Sequence, residues 1–134
     1  MSRPETMQRD RIIGWVLSGL VLLFLAMDAG GKIFAPAMMI ANSPPLLGIP
    51  AETGLYQQLG MILAVCALLY AVPRTAVLGA ILLTGYLGGA VAMHFRVGSP
   101  LFSHTLFGVY LGVLAWGGLW FRDPRVRALI PIAG

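Results

Sequence analysis

Apolar residues come in four long blocks, at about 12–33, 55–72, 75–94 and 104–121, separated by short polar or proline-bearing breaks. Inside the blocks Leu, Ala, Val and Ile follow one another without the alternation that a lipid-facing barrel strand would show. Each block holds about 17–22 residues, and a helix of that length crosses a ~30 Å hydrocarbon core. Peptide groups find no water there, so each block predicts a helix that satisfies its own backbone. The breaks fit this count. Pro73-Arg74 makes a tight turn, and Val97 to Ser103, with Gly98-Ser99-Pro100, makes a short loop. The stretch 34–54 is longer and carries Pro36, Pro44, Pro45 and Pro50; its Leu46-Leu47-Gly48-Ile49 segment leaves open whether the loop dips into the membrane. The expectation is an all-α membrane protein, a four-transmembrane-helix bundle over 12–121, with an N-terminal tail at 1–11 and a C-terminal tail at 122–134.

Composition strengthens that expectation. Of 134 residues, 58% are hydrophobic and 10% charged, more apolar surface than so small a chain can hide inside itself. A disulfide scaffold is excluded because Cys66 is the one cysteine. Charge then sets orientation. With an even number of spans, the tails and the Pro73-Arg74 turn share a side. That side holds Arg3, Arg9, Arg11, Arg74, Arg122, Arg125 and Arg127, against Lys32 and Arg96 opposite. The asymmetry predicts cytoplasmic N- and C-termini. It also accounts for the net charge of +4 without a nucleic-acid partner. The first block is longer than a signal-peptide core and three more follow, so it is expected to be an uncleaved first helix.

Small residues suggest how the helices meet. Gly85/Gly89 and Gly108/Gly112 form GxxxG pairs, and Gly60/Ala64 and Ala67/Ala71 offer a similar face. Such faces let helix backbones approach in lipid, within one bundle or between two copies as a homodimer. Trp15, Trp116 and Trp120 are expected near the inner interface as an aromatic belt, with Tyr86 and Tyr110 deeper.

Ionisable groups inside spans are costly and mark candidate sites. Asp28 and Lys32 lie one helical turn apart, within ion-pair reach. Gln57 and Gln58 open the second span at the same outer level, just after Glu52. His94 and Arg96 close the third there, and His104 opens the fourth. Each span thus sends a polar side chain to the outer mouth. Histidine titrates near neutrality and Asp28 could orient it, so Asp28, His94 and His104 are candidates for proton exchange. Lys32 and Arg96 could hold an anionic or quinone-like oxygen. No metal is expected, since no tight ligand spacing such as HxxxH occurs. The same polar groups also suit helix ends and interfaces with no chemistry at all.

The chain resembles the DoxX-like family of small four-span membrane proteins. The resemblance rests on Val72-Pro73-Arg74-Thr75-Ala76-Val77-Leu78-Gly79-Ala80-Ile81-Leu82-Leu83-Thr84-Gly85-Tyr86-Leu87-Gly88-Gly89-Ala90-Val91-Ala92-Met93-His94, on Arg96-Val97-Gly98, Pro100-Leu101-Phe102 and Val109-Tyr110-Leu111-Gly112, and on Asp28, Gly31 and Lys32 in the first span. It covers about residues 12–130. Many relatives carry a span-two glutamate where this chain has Leu63, which puts in doubt any role that needs that carboxylate. The resemblance implies a bacterial inner-membrane protein. It also implies loose redox associations, such as thiosulfate:quinone oxidoreduction, methylamine-utilisation maturation or oxidative-stress complexes.

Three functions remain open from sequence. One is a bundle that binds a small lipophilic molecule, quinone-like in one version, with or without catalysis. Its site would be Asp28, Lys32, Gln57, Gln58, Tyr86, His94, Arg96, His104 and Tyr110. The second is a non-catalytic accessory or assembly protein serving a redox partner. The third is a small transporter, for which inverted repeats or broken helices would be expected and none is evident.

Overall fold

A computed structural model describes residues 4–42 and 52–133. Four long apolar helices dominate: α1 (Pro4–Phe34), α3 (Thr53–Ala71), α4 (Ala76–Arg96) and α5 (Phe107–Arg122). Two short helices, α2 (Pro36–Ala41) and α6 (Pro124–Leu129), follow α1 and α5. No strand occurs among the described residues. The apolar Leu46 to Ile49 stretch lies outside them.

Each long helix buries one narrow stripe. On α1 it is Gly14, Ser18, Val21, Leu25 and Ala29, and on α3 Tyr56, Gly60, Leu63, Cys66 and Tyr70. These spacings of three and four are the helical repeat. The opposite faces are just as apolar and stay uncovered: Leu23, Ile62, Val65, Ile81 and Val113 are exposed. A chain that is apolar inside and outside has the surface of a bilayer protein. All four helices are long and apolar enough to cross a membrane, the fourth counted from Leu101 to Arg122.

α1 packs on α3 and α5, α3 on α4, and α4 on α5, so α1 and α4 face each other diagonally across the bundle. Small residues set the closest approaches, though the GxxxG pairs divide. A Cβ on Gly14 would stand 2.6 Å from the Gly118 carbonyl oxygen, so α1 and α5 nearly touch there. Gly108 sits under Leu87 and Val91. Gly85, Gly89 and Gly112 have open space where a side chain would be, and make no close approach to the other described residues.

Three boundaries differ from the sequence expectation. The basic leader is not a separate tail: α1 starts at Pro4 and runs 31 residues, about 46 Å at helical rise, longer than a membrane core needs. The fourth span is not regular at its start. Leu101–Thr105 forms a π-helical turn, in which the Thr105 and Leu106 amides donate five residues back to the Pro100 and Leu101 carbonyls. The Thr105 hydroxyl donates to the Ser99 carbonyl and holds this turn to the preceding loop. The tail beyond Arg122 folds back as α6, where Val126 is buried and Arg127 pairs with Asp10 at 3.1 Å.

Asp123 caps α6 by accepting from the Arg125 amide, and both carboxylate oxygens also take the Arg125 guanidinium. The Arg125 side chain, more than any other cause, holds the Asp123 carboxyl below its ordinary value of 3.8. A depressed folded-state pKa stabilises above the unfolded value and loses that contribution as pH falls through the folded one. Acidification below about pH 4 is therefore expected to loosen α6 first. Fluorescence of Trp120, whose indole donates to the Ile130 carbonyl, should report it, and Asp123→Asn should flatten the transition.

Candidate functional site

At the end of the bundle opposite the termini, Asp28 and Lys32 meet as the one-turn spacing requires. The Lys32 ammonium donates to Asp28 Oδ2 at 2.5 Å. Its side chain is 15% exposed against 39% for Asp28, and its nitrogen reaches across the bundle diagonal to donate to Tyr86 Oη at 3.2 Å. The ammonium stands 5.7 Å from the Tyr86 ring centroid, within cation–π range. Two helices without a backbone contact are thus joined by an acid, a base and a phenol.

Tyr86 also ends a groove of about 560 Å³ between α3 and α4, lined by Met61, Ile62, Val65, Cys66, Ile81, Leu82 and Gly85. Apart from the phenol this lining is apolar. The groove opens sideways, toward where lipid would lie, whereas the sequence suggested a pocket at the outer mouth.

The histidines form a second group. His94 and His104 stand with ring centroids 6.0 Å apart at an interplanar angle of 62°. His94 Nδ1 shares a hydrogen bond with Ser99 Oγ at 3.0 Å, and His104 Nδ1 with Ser103 Oγ at 2.7 Å. Among the described residues no hydrogen bond links this pair to Asp28 or Lys32. No three His, Cys, Asp or Glu side chains among those residues come together as a metal site would need.

The remaining candidates, Gln57, Gln58, Arg96 and Tyr110, are all exposed. Gln57 donates to the Ile33 carbonyl at 3.2 Å, closing the end of α1. Tyr110 lies on the outer face of the bundle, 42% exposed, and its hydroxyl donates to the Phe102 carbonyl of the π-helical turn. Trp116 differs from a belt residue, since its indole donates to Thr84 Oγ1 well along α4.

The most enclosed polar group lies at the other end and was not anticipated. Tyr70 is fully buried. Its hydroxyl donates to the Ala115 carbonyl at 2.7 Å and so accepts from Ser18 Oγ at 2.9 Å. Ser18 in turn accepts from Arg122 Nε at 3.2 Å. The Arg122 guanidinium lies 4.0 Å from the Trp15 ring centroid and 5.4 Å from that of Tyr70. The available signal was depth: Ser18, Tyr70 and Arg122 stand at one level once the spans are laid antiparallel.

These features define a four-helix membrane protein with a polar group at each end and an apolar, laterally open wall between two helices. The sequence model of the DoxX-like family matches residues 16–118, and the chain belongs to that family. The match takes in Asp28, Lys32, Tyr86 and both histidines and stops just short of Arg122. Neither a curated protein nor a solved structure matches the chain.

Proposed function

We propose that this DoxX-like protein binds a small lipophilic molecule along the α3–α4 groove, with the molecule's polar head at Tyr86 and Lys32. One observation carries the reading: Tyr86, whose hydroxyl accepts from the Lys32 ammonium behind it, lines an apolar groove that opens toward lipid. Lys32 gives one proton to Asp28 and another to the Tyr86 oxygen, so the phenol keeps its own hydrogen to offer. A ligand atom that reaches past the apolar lining to Tyr86 would therefore meet donors. A carbonyl-type acceptor, as in a quinone, suits them better than a hydroxyl or amine. The groove's volume falls within the range of small-molecule sites.

Proton transfer is the chemistry available to these side chains. Asp28 stands behind Lys32, and Lys32 behind Tyr86, in line to feed a proton to a bound oxygen. In this reading a redox partner in the membrane supplies the electrons. Leu63 occupies a fully buried core position, so no second carboxylate joins the line there. Seven basic residues at the termini end against two opposite support cytoplasmic termini in a bacterial inner membrane. The site then faces the outer leaflet.

A non-catalytic accessory role has its own support. Gln57 and Tyr110 spend their hydrogen bonds on the ends of helical segments, and both histidines bond neighbouring serines. The open Gly85/Gly89 face would equally admit a second copy of the chain, which would then cover the groove.

Native mass spectrometry of protein extracted with its lipids tests the ligand reading. A stoichiometric small molecule should be retained, and Tyr86→Phe should weaken its retention about tenfold, the worth of one hydrogen bond. Gln57→Ala, away from the groove, should leave it alone. Equal retention in Tyr86→Phe and Lys32→Met would sink the proposal in favour of the accessory role.

A further inference from the structure

A second groove, of about 490 Å³, lies on one face of α1 at the termini end and is lined by Gln8, Arg11, Ile12, Trp15 and Val16. Its polarity is graded along the helix. Gln8 and Arg11 lie toward the chain end, while Ile12, Trp15 and Val16 follow toward the apolar span, over about 12 Å of helix. A phospholipid is graded the same way, from charged head to acyl chain.

Charge compensation at this end is uneven. Arg9 pairs with Asp10, Arg127 with the same carboxylate, and Arg125 with Asp123. Arg11 makes no ion pair or hydrogen bond with the described residues. Arg122 spends its hydrogen bonds on neutral acceptors, Ser18 Oγ and the Tyr70 carbonyl. Asp123, its chain neighbour, gives both oxygens to Arg125. Two guanidinium groups without an ion pair of their own flank one indole. Arg11 is a turn before Trp15 on the same groove, and Arg122 lies 4.0 Å from the Trp15 ring centroid. Ser18 and the Tyr70 carbonyl fix Arg122, so its charge is placed before any ligand arrives.

We infer that Arg11, Trp15 and Arg122 bind the phosphate of an anionic phospholipid from the leaflet at the termini end, with Gln8 as a further donor. The acyl chain lies along Ile12 and Val16. An indole at the polar end of the groove and two arginines without ion pairs beside it match the head, and the apolar face below matches the tail.

Arg74 supplies the control. It lies at the same end, in the turn between α3 and α4, is exposed, and makes no ion pair with the described residues. The full-length protein in a neutral detergent is titrated with phosphatidylglycerol or with phosphatidylcholine of the same chains, and its thermal unfolding is followed. Phosphatidylglycerol should raise the midpoint and phosphatidylcholine should not. Arg11→Gln should weaken the phosphatidylglycerol effect about fivefold, as expected for one basic residue at an anionic surface, and Arg74→Gln should leave it intact. Equal weakening by Arg74→Gln would mean general surface charge and overturn the site. So would an unchanged Arg11→Gln, equal protection by phosphatidylcholine, or full protection by inorganic phosphate alone.

Discussion

A single methyl group on Gly79 should destabilise the bundle by about 3 kcal/mol, the upper part of the range for overpacking a close contact. The α3–α4 turn brings the start of α4 against the end of α3 so closely that a Cβ on Gly79 would lie 2.6 Å from Tyr70 Cα, 2.7 Å from the Leu69 carbonyl carbon, and closer still to the Tyr70 amide nitrogen. These are backbone atoms, so no rotamer change relieves the clash; a helix must move. The Thr75 hydroxyl, which donates to the Leu69 carbonyl at 2.8 Å, ties the turn in place and resists that movement. Gly79→Ala should therefore lower the thermal midpoint in detergent by several degrees. Gly85→Ala, on the same helix with open space at its Cβ, should be neutral or raise it, because alanine favours helix over glycine. An equal response in both variants would contradict the close approach.

That contrast shows what the sequence could and could not tell. Block length and absent alternation were enough for four helices, because a bilayer leaves the backbone few alternatives. Of the small-residue faces read from sequence, Gly60 and Gly108 do make close contacts, whereas Gly85/Gly89 does not, and Gly14, Gly79 and Gly118 make contacts that no GxxxG spelling marked. Both faces of these helices are apolar, so hydrophobic pattern cannot say which face turns inward. Asp28 and Lys32 were legible as a pair because both sit on one helix. Their link to Tyr86 crosses the bundle diagonal and needs the three-dimensional arrangement. Arg122 was assigned to orientation alone, as basic residues at span ends usually can be. Its long side chain instead turns back into the bundle, where Ser18 and the Tyr70 carbonyl offer acceptors and two aromatic rings face the charge.

Removing that side chain is the second large perturbation. Arg122→Ala should cost about 2–4 kcal/mol, combining the cation–π contact with Trp15 and the loss of charge-assisted bonds in a low-dielectric setting. Tyr70→Phe should cost less, about 1–2 kcal/mol, since single hydrogen bonds in membrane bundles are modest. The bonds run one way, from Arg122 to Ser18 to Tyr70 to the Ala115 carbonyl. Each hydroxyl gives its hydrogen onward while accepting from behind. Phenylalanine at position 70 thus leaves Ser18 a hydrogen with nowhere to go, and Ser18→Ala should be cheaper in that background than in the parent, a coupling a double-mutant cycle resolves. Arg122→Lys separates charge from geometry. Lysine keeps the charge but lacks a planar group to stack on Trp15 and to bond Ser18 and the Tyr70 carbonyl together, so it should recover less than half of the lost stability. Full recovery would mean that the charge alone matters. Below their melting temperatures these variants should still retain any ligand held at Tyr86 and Lys32, because the two polar groups sit at opposite ends of the bundle and share no residue.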